Sequence, residues 1–153
     1  MTDLVEKALE SVDNTPEKIK NFTKLALTSS AEKVVELWHG ELARRLLIAQ
    51  DALPLIYCCN DVLQESKGKD NEAYQESFAE ILEEDLRSIV KEQPAAIEGT
   101  RKVLNVWSER QVYGKSFLRR LRDCLRGEDG KHLKRHRVKR PLRLTGKKLF
   151  LRC

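Results

Sequence analysis

The stretch Leu53-Pro54-Leu55-Ile56-Tyr57-Cys58-Cys59-Asn60-Asp61-Val62-Leu63-Gln64 constrains the fold more than any other part of the chain. Read at about 100° per residue, it divides into two faces. Leu55, Ile56, Cys58, Cys59, Val62 and Leu63 form one broad apolar arc, while Tyr57, Asn60, Asp61 and Gln64 gather on the other side. A helix with so wide an apolar arc has to be nearly surrounded by other helices, which leaves its polar side as a narrow window. The window carries an aromatic ring, amides and a carboxylate, and no Lys or Arg. Two readings of it stand side by side. Its polar groups either cap and bridge neighbouring helices, or line a recognition groove.

The rest of the chain supplies the surrounding helices. Asp3 to Ser11 reads as a short helix with Leu4, Val5, Ala8 and Leu9 on one side. Asp13-Asn14-Thr15-Pro16-Glu17 is a helix start, with Asn14 or Thr15 as cap and Pro16 at the first helical position. That helix runs through Ile19, Phe22, Leu25 and Ala26, and Thr28-Ser29-Ser30 breaks it and caps the next one, which turns Val34, Val35, Trp38 and Leu42 inward. Asp51 is the expected cap of the central helix, with Pro54 in its first turn. Ser66 to Asn71 reads as a loop, followed by one long amphipathic helix with Tyr74, Phe78, Ile81, Leu82, Leu86, Ile89 and Val90 as its stripe. Pro94 ends it. A helix bearing Ile97, Val103, Leu104, Val106 and Trp107 follows, then a last one with Phe117, Leu118, Leu121 and Leu125 inward and Gly127 as its C-cap. No segment alternates like a strand beyond a few residues, so the expected fold is all-α with seven or eight helices.

Charge divides the chain differently. Residues 1–130 hold 19 Lys and Arg against 24 Asp and Glu, whereas residues 131–153 hold ten Lys and Arg and no acid. The whole-chain +5 is therefore an acidic domain joined to a basic tail. Within the domain, cations concentrate between Arg101 and Arg126. The expected division is a domain over 1–128 and a tail over 129–153, disordered when free because like charge and low periodicity cannot build a core. Lys134, Arg135, Arg137, Lys139 and Arg140 have the composition read by nuclear import receptors, and would also bind RNA or DNA phosphates. His132 and His136 alone do not fill a metal's coordination sphere.

Other classes find little support. No apolar run reaches the roughly 18 residues of a membrane helix, and the acidic, mixed Met1–Glu6 is unlike a signal peptide. Cys58, Cys59, Cys124 and Cys153 lack metal-ligand spacing and read as reduced thiols, a pattern of the cytoplasm or nucleus. There is no phosphate-binding glycine loop, no nucleophile elbow and no paired-carboxylate motif. His39 lacks a nucleophile nearby in sequence, and Glu83-Glu84-Asp85 reads as a solvated charge run. The expectation is a binding module without cofactor or metal, not an enzyme.

Three stretches together resemble a known family. They are Val35-Glu36-Leu37-Trp38-His39-Gly40-Glu41-Leu42, then Leu55-Ile56-Tyr57-Cys58-Cys59-Asn60-Asp61-Val62-Leu63-Gln64, then Val103-Leu104-Asn105-Val106-Trp107-Ser108-Glu109-Arg110-Gln111-Val112-Tyr113-Gly114. In that order and spacing, over roughly residues 3–126, they look like the CTD-interacting (CID or RPR) domain of regulation-of-nuclear-pre-mRNA proteins and transcription termination factors. The resemblance implies a right-handed superhelix of eight helices, related to ENTH and VHS domains. It implies as ligand the phosphorylated heptad tail of the largest RNA polymerase II subunit, Tyr-Ser-Pro-Thr-Ser-Pro-Ser, with a nuclear role in termination or pre-mRNA 3′-end processing.

By the same resemblance, Tyr57, Asn60, Asp61 and Gln64 line the peptide groove. Asn60 or Asp61 accepts the heptad tyrosine hydroxyl, and Tyr57 packs against the peptide's turn. Asn14, at the start of the second helix, touches peptide backbone. Arg110 meets the phosphoserine of the second heptad position, a role that suits a bidentate guanidinium. Lys102 stands where the family commonly has arginine, so a bidentate contact does not carry over there. The coiled coil of some relatives is missing, and a monomer is expected. Two alternatives remain. One is an ENTH- or VHS-type adaptor for phosphoinositides or sorting peptides, against which stand the four acids and one lysine of residues 1–13. The other is a nucleic-acid binder acting through the tail.

Overall fold

A computed structural model describes residues 2–69 and 71–126, apart from the side chain of Thr2. Among these residues the chain is all-α, with eight α-helices and one short 3₁₀ turn. They are α1 (Thr2–Ser11), α2 (Pro16–Leu27), α3 (Ala31–Leu47), α4 (Leu53–Gly68), α5 (Ala73–Ala79), α6 (Leu82–Glu92), α7 (Ile97–Glu109) and α8 (Lys115–Leu125). The 3₁₀ turn, Pro94–Ala96, leads into α7. Many helices pack on the one two places along the chain: α1 on α3, α2 on α4, α3 on α5 and α6 on α8. This staggered stacking closes α4 between α2, α5 and α7.

The apolar arc of α4 is buried as its spacing requires, with Leu55, Cys58, Cys59, Val62 and Leu63 fully enclosed. Trp38 of α3 locks onto α4 by donating from Nε1 to the Leu55 carbonyl at 2.8 Å, and its ring meets Phe78 of α5 edge-on at 5.1 Å. The Tyr74 hydroxyl donates to the Ala26 carbonyl, joining α5 to α2.

A buried cation ties together one end of the molecule. Arg45 is 1% exposed and donates from Nε to Glu41 at 2.8 Å. Its terminal nitrogens donate to the carbonyls of Asp51, Leu9 and Val12 at 3.0, 2.9 and 3.0 Å. One guanidinium thus satisfies the C-terminal carbonyls of α1 and fixes the chain entering α4. Burial pushes the Glu41 carboxyl up, but hydrogen bonds from Arg44 and Arg45 outweigh this and hold it below its ordinary value.

Several local expectations are corrected. Leu4 is 53% exposed, because Val5 and Leu9, with Ala8 partly buried beside them, fill the α1 seam. The α2 start is organised by Asp13, whose carboxylate accepts from the Thr15 amide and hydroxyl at 3.0 and 2.7 Å. Those bonds, with Lys18, lower the Asp13 carboxyl to about 2. Asp51 caps Leu53 N at 3.1 Å from one residue outside the cap position, which Ala52 holds. The central helix continues through Ser66 to Gly68, because Ser66 is buried and returns its hydroxyl to Leu63. The stripe from Tyr74 to Val90 belongs to two helices that break at Glu80–Ile81. Asp85 is not solvated: it is 4% exposed and bonds His39 Nδ1 at 2.9 Å. Gly127 and the basic tail lie outside the described residues.

Candidate binding groove on the central helix

The polar side of α4 lies between α2 and α7, and each of its side chains has a defined place. Asp61 has a side chain only 16% exposed and faces α2, where Lys20 Nζ donates to Oδ1 at 2.7 Å and the Thr23 hydroxyl to Oδ2 at 2.6 Å. The hydrogen bond to Asp61 raises Lys20 above its ordinary value. Two bonds do not exhaust a carboxylate, which offers about four acceptor positions. Asp61 can still receive a further hydroxyl.

Asn60 faces α7. Its Oδ1 accepts from Trp107 Nε1 at 2.8 Å and from Gln64 Nε2 at 3.2 Å. Indole N–H only donates, so this contact fixes which end of the Asn60 amide is oxygen. Both lone pairs of Oδ1 are thereby used, and the Asn60 NH₂ has no hydrogen-bond partner among the described residues. Of the two acceptors expected for a ligand hydroxyl, Asp61 keeps that capacity and Asn60 becomes a donor. Tyr57 is half-buried against the core, and its hydroxyl has no partner among the described residues.

The motif from Trp107 to Gly114 builds the neighbouring rim. Glu109 ends α7 and Arg110 caps it. Gln111 adopts φ 57°, and Val112 N returns to the Trp107 carbonyl at 2.9 Å while Gln111 N returns to Ser108 at 3.3 Å. This pair of bonds is a Schellman closure, which turns the chain sharply after the helix. Val112 is buried, and the Tyr113 hydroxyl donates to the Gln75 carbonyl at 2.7 Å. Tyr113 also meets Trp107 and Phe117 edge-on at 5.6 and 4.8 Å. The motif is thus a rigid elbow, pinned by Trp107, Val112 and Tyr113. Its one basic residue, Arg110, is exposed and without an ion pair among the described residues. Lys67 of α4 donates to the Arg110 carbonyl at 3.0 Å, adding a second cation at the elbow.

The structure brings Tyr57, Asn60, Asp61 and Gln64 onto one face, with Arg110 at its α7 edge. Asn14 is exposed on the α1–α2 connection, and no hydrogen bond or ion pair ties it to this face among the described residues. Lys102 is exposed on α7, eight residues before Arg110 and so about 12 Å away along the helix axis. The two cations mark separate positions rather than one pocket. Lys134, Arg135, Arg137, Lys139 and Arg140 fall outside the described residues. Lys20, Thr23 and Lys67 are the groove residues that sequence periodicity does not reveal, because each reaches it from another helix or a later turn. Only the polar spacing of Lys20 and Thr23 on α2 hints at a shared partner.

Fold and site together define an all-helical domain whose central helix presents a polar face flanked by Lys20 of α2 and Arg110 at the end of α7. The chain belongs to the CID domain family, whose family model matches residues 3–121. Regulation of nuclear pre-mRNA domain-containing protein 1B of Homo sapiens is 32% identical over 133 residues, which cover 83% of this chain and 38% of that protein. The 1A protein of Homo sapiens is 28% identical over 127 residues, 81% of this chain and 40% of the relative. Protein 2 of Mus musculus is 27% identical over 128 residues, 84% of this chain and 9% of the relative. The chain spans well under half the length of each of these relatives.

Proposed function

We propose that this chain binds the phosphorylated heptad tail of the largest RNA polymerase II subunit, as a monomer and in the nucleus. There it would link the polymerase to termination or 3′-end processing of pre-mRNA. Catalysis has no part in this reading. Family membership supports the ligand class, and the relatives' designation as regulators of nuclear pre-mRNA supports the compartment. The observation that carries the reading is the placement of Arg110. A guanidinium with no ion pair among the described residues, on a braced elbow beside an acceptor-bearing face, suits a peptide that carries both phosphate and phenol.

In this arrangement the heptad tyrosine donates its hydroxyl to the remaining lone pairs of Asp61, with the Tyr57 ring as the apolar shelf. The Asn60 NH₂ donates to a peptide carbonyl. Arg110 receives the phosphoserine through charge-assisted, bidentate bonds, and Lys67 adds charge beside it. Titration with heptad peptides, unmodified and phosphorylated at each serine singly, tests this. Tighter binding of the peptide phosphorylated at the second position supports the reading. Indifference to phosphorylation at every position contradicts it.

A further inference from the structure

A second charged surface lies away from the α4 window, in the groove between α7 and α8. Ser108, Lys115, Leu118, Arg119, Arg122 and Arg126 line it. Lys115, Arg119 and Arg122 fall at intervals of four and three residues on α8, which places them on one face of the helix, and Arg126 follows just past its end. These three make a row spanning about 10 Å, with steps of about 4.5–6 Å along the axis. Asn105 orients Arg122 at 3.3 Å and Asp123 bonds Arg126 at 3.1 Å, while Lys115 and Arg119 have no hydrogen-bond or ion-pair partner among the described residues.

The N-terminal end of this row works against the stability of its own helix. Lys115 is the first residue of α8, and no acid stands in the first turn. A cation at the positive end of a helix dipole is unfavourable, and the neighbouring cations add like-charge repulsion. Departures of this kind from local preference gather where a surface is used for something else.

We infer that the Lys115–Arg119–Arg122 face of α8, with Arg126 just past its end and Ser108 beside it, is a binding site for the phosphate backbone of a single-stranded nucleic acid. Spacing decides between polyanions. In an extended phosphopeptide, serines three residues apart place their phosphates about 10 Å apart, and one heptad spans about 23 Å. A cation at every helical turn instead answers a polymer with a phosphate on every unit. A membrane would need apolar side chains to insert beside the charges. Leu118 is buried, and the exposed large apolar residues Leu4, Leu47 and Ile48 stand on α1 and at the end of α3. Beyond α8, after the acidic pair Glu128 and Asp129, the chain adds ten further Lys and Arg within residues 131–153.

The test uses the full chain and an unstructured oligouridylate RNA, titrated by fluorescence anisotropy across a salt series. Lys115→Glu with Arg119→Glu is compared with Lys24→Glu with Lys33→Glu, an exposed pair elsewhere that changes net charge equally. Loss of two phosphate contacts should lower the slope of log affinity against log salt by about 1.4. The α8 variant should show that drop and the control should not. Melting temperatures equal to wild type establish folding, and the Gln pair at the same two positions replaces the Glu pair if it does not fold. Equal slopes and affinities for the α8 variant and the control overturn the inference. So does an α8 variant that keeps RNA affinity but loses heptad phosphopeptide affinity, because the row then belongs to the peptide site. Peptide titrations on the same samples keep this outcome apart from any failure of the peptide reading itself.

Discussion

Asn60 and Asp61 are neighbours with different work, and substitution should separate them. Asn60 accepts from the buried Trp107 indole, so Asn60→Ala leaves that N–H without a partner. An orphaned buried donor costs about 1–3 kcal/mol, and both stability and peptide affinity should fall. Asp61→Ala is gentler on the fold, because the released groups have second partners: Thr23 also contacts the Ile19 carbonyl at 3.2 Å and Lys20 reaches Glu65 at 3.4 Å. Only Lys20 of the Lys20–Asp61 pair is exposed, so the stability loss should lie near about 1 kcal/mol, the net worth of a typical hydrogen bond, while peptide affinity drops more. Thermal melts run beside peptide titrations decide this, and equal melting losses in the two variants would contradict it. The two readings of the window are therefore not exclusive. Its groups bridge helices and still offer the Asn60 NH₂ and the spare lone pairs of Asp61. Sequence periodicity shows which residues share the face. It cannot show that a lysine two helices away, Lys20, already neutralises the carboxylate.

At the scale of helices, α3 is joined to α6 by His39 and Asp85. The hydrogen bond that His39 donates to Asp85 raises His39 above its ordinary 6.5, and burial raises Asp85 above its ordinary 3.8. Both groups hold protons more tightly folded than unfolded, so stability should fall as pH rises across their raised values. The His39 part is fully present below 6.5 and is lost as pH climbs through the raised value. Melting temperatures of wild type should decline from mildly acidic to neutral pH, and His39→Gln should flatten that decline. An unchanged profile in the variant would refute the assignment. This pair was illegible in the sequence, where Asp85 sits in an acidic run that reads as solvated. The α5–α6 break was equally hidden: Glu80 and Ile81 keep φ and ψ near −70° and −24°, and −119° and −11°. No glycine or proline marks it, and the apolar stripe stays in phase across it. Helices bounded by Pro16, Ser30 and Pro94 were legible because those residues act locally.

For the whole molecule, Arg45 is the residue whose loss should be felt furthest. It joins α1, α3 and the entry to α4 through Glu41 and the carbonyls of Leu9, Val12 and Asp51. Breaking a buried pair by removing one partner costs about 3–5 kcal/mol, and Arg45→Met should lower the urea midpoint accordingly. A loss within about 0.5 kcal/mol, the scale of an ordinary surface change, would show that the carbonyls find other donors. In sequence Arg45 is one of 29 Lys and Arg, and nothing in its spacing sets it apart. Its role exists only once α1 folds back on α3.

The central claim is that Arg110 reads the phosphate, and a cycle of two proteins and two peptides tests it most directly. Wild type and Arg110→Ala are each titrated with the heptad peptide, unmodified and phosphorylated at its second position. The phosphate should strengthen binding to wild type, and the substitution should remove about 1.5–3 kcal/mol of that gain. The unmodified peptide should bind both proteins alike, with melting temperatures unchanged. If the phosphate strengthens binding to Arg110→Ala as much as to wild type, Arg110 does not read it.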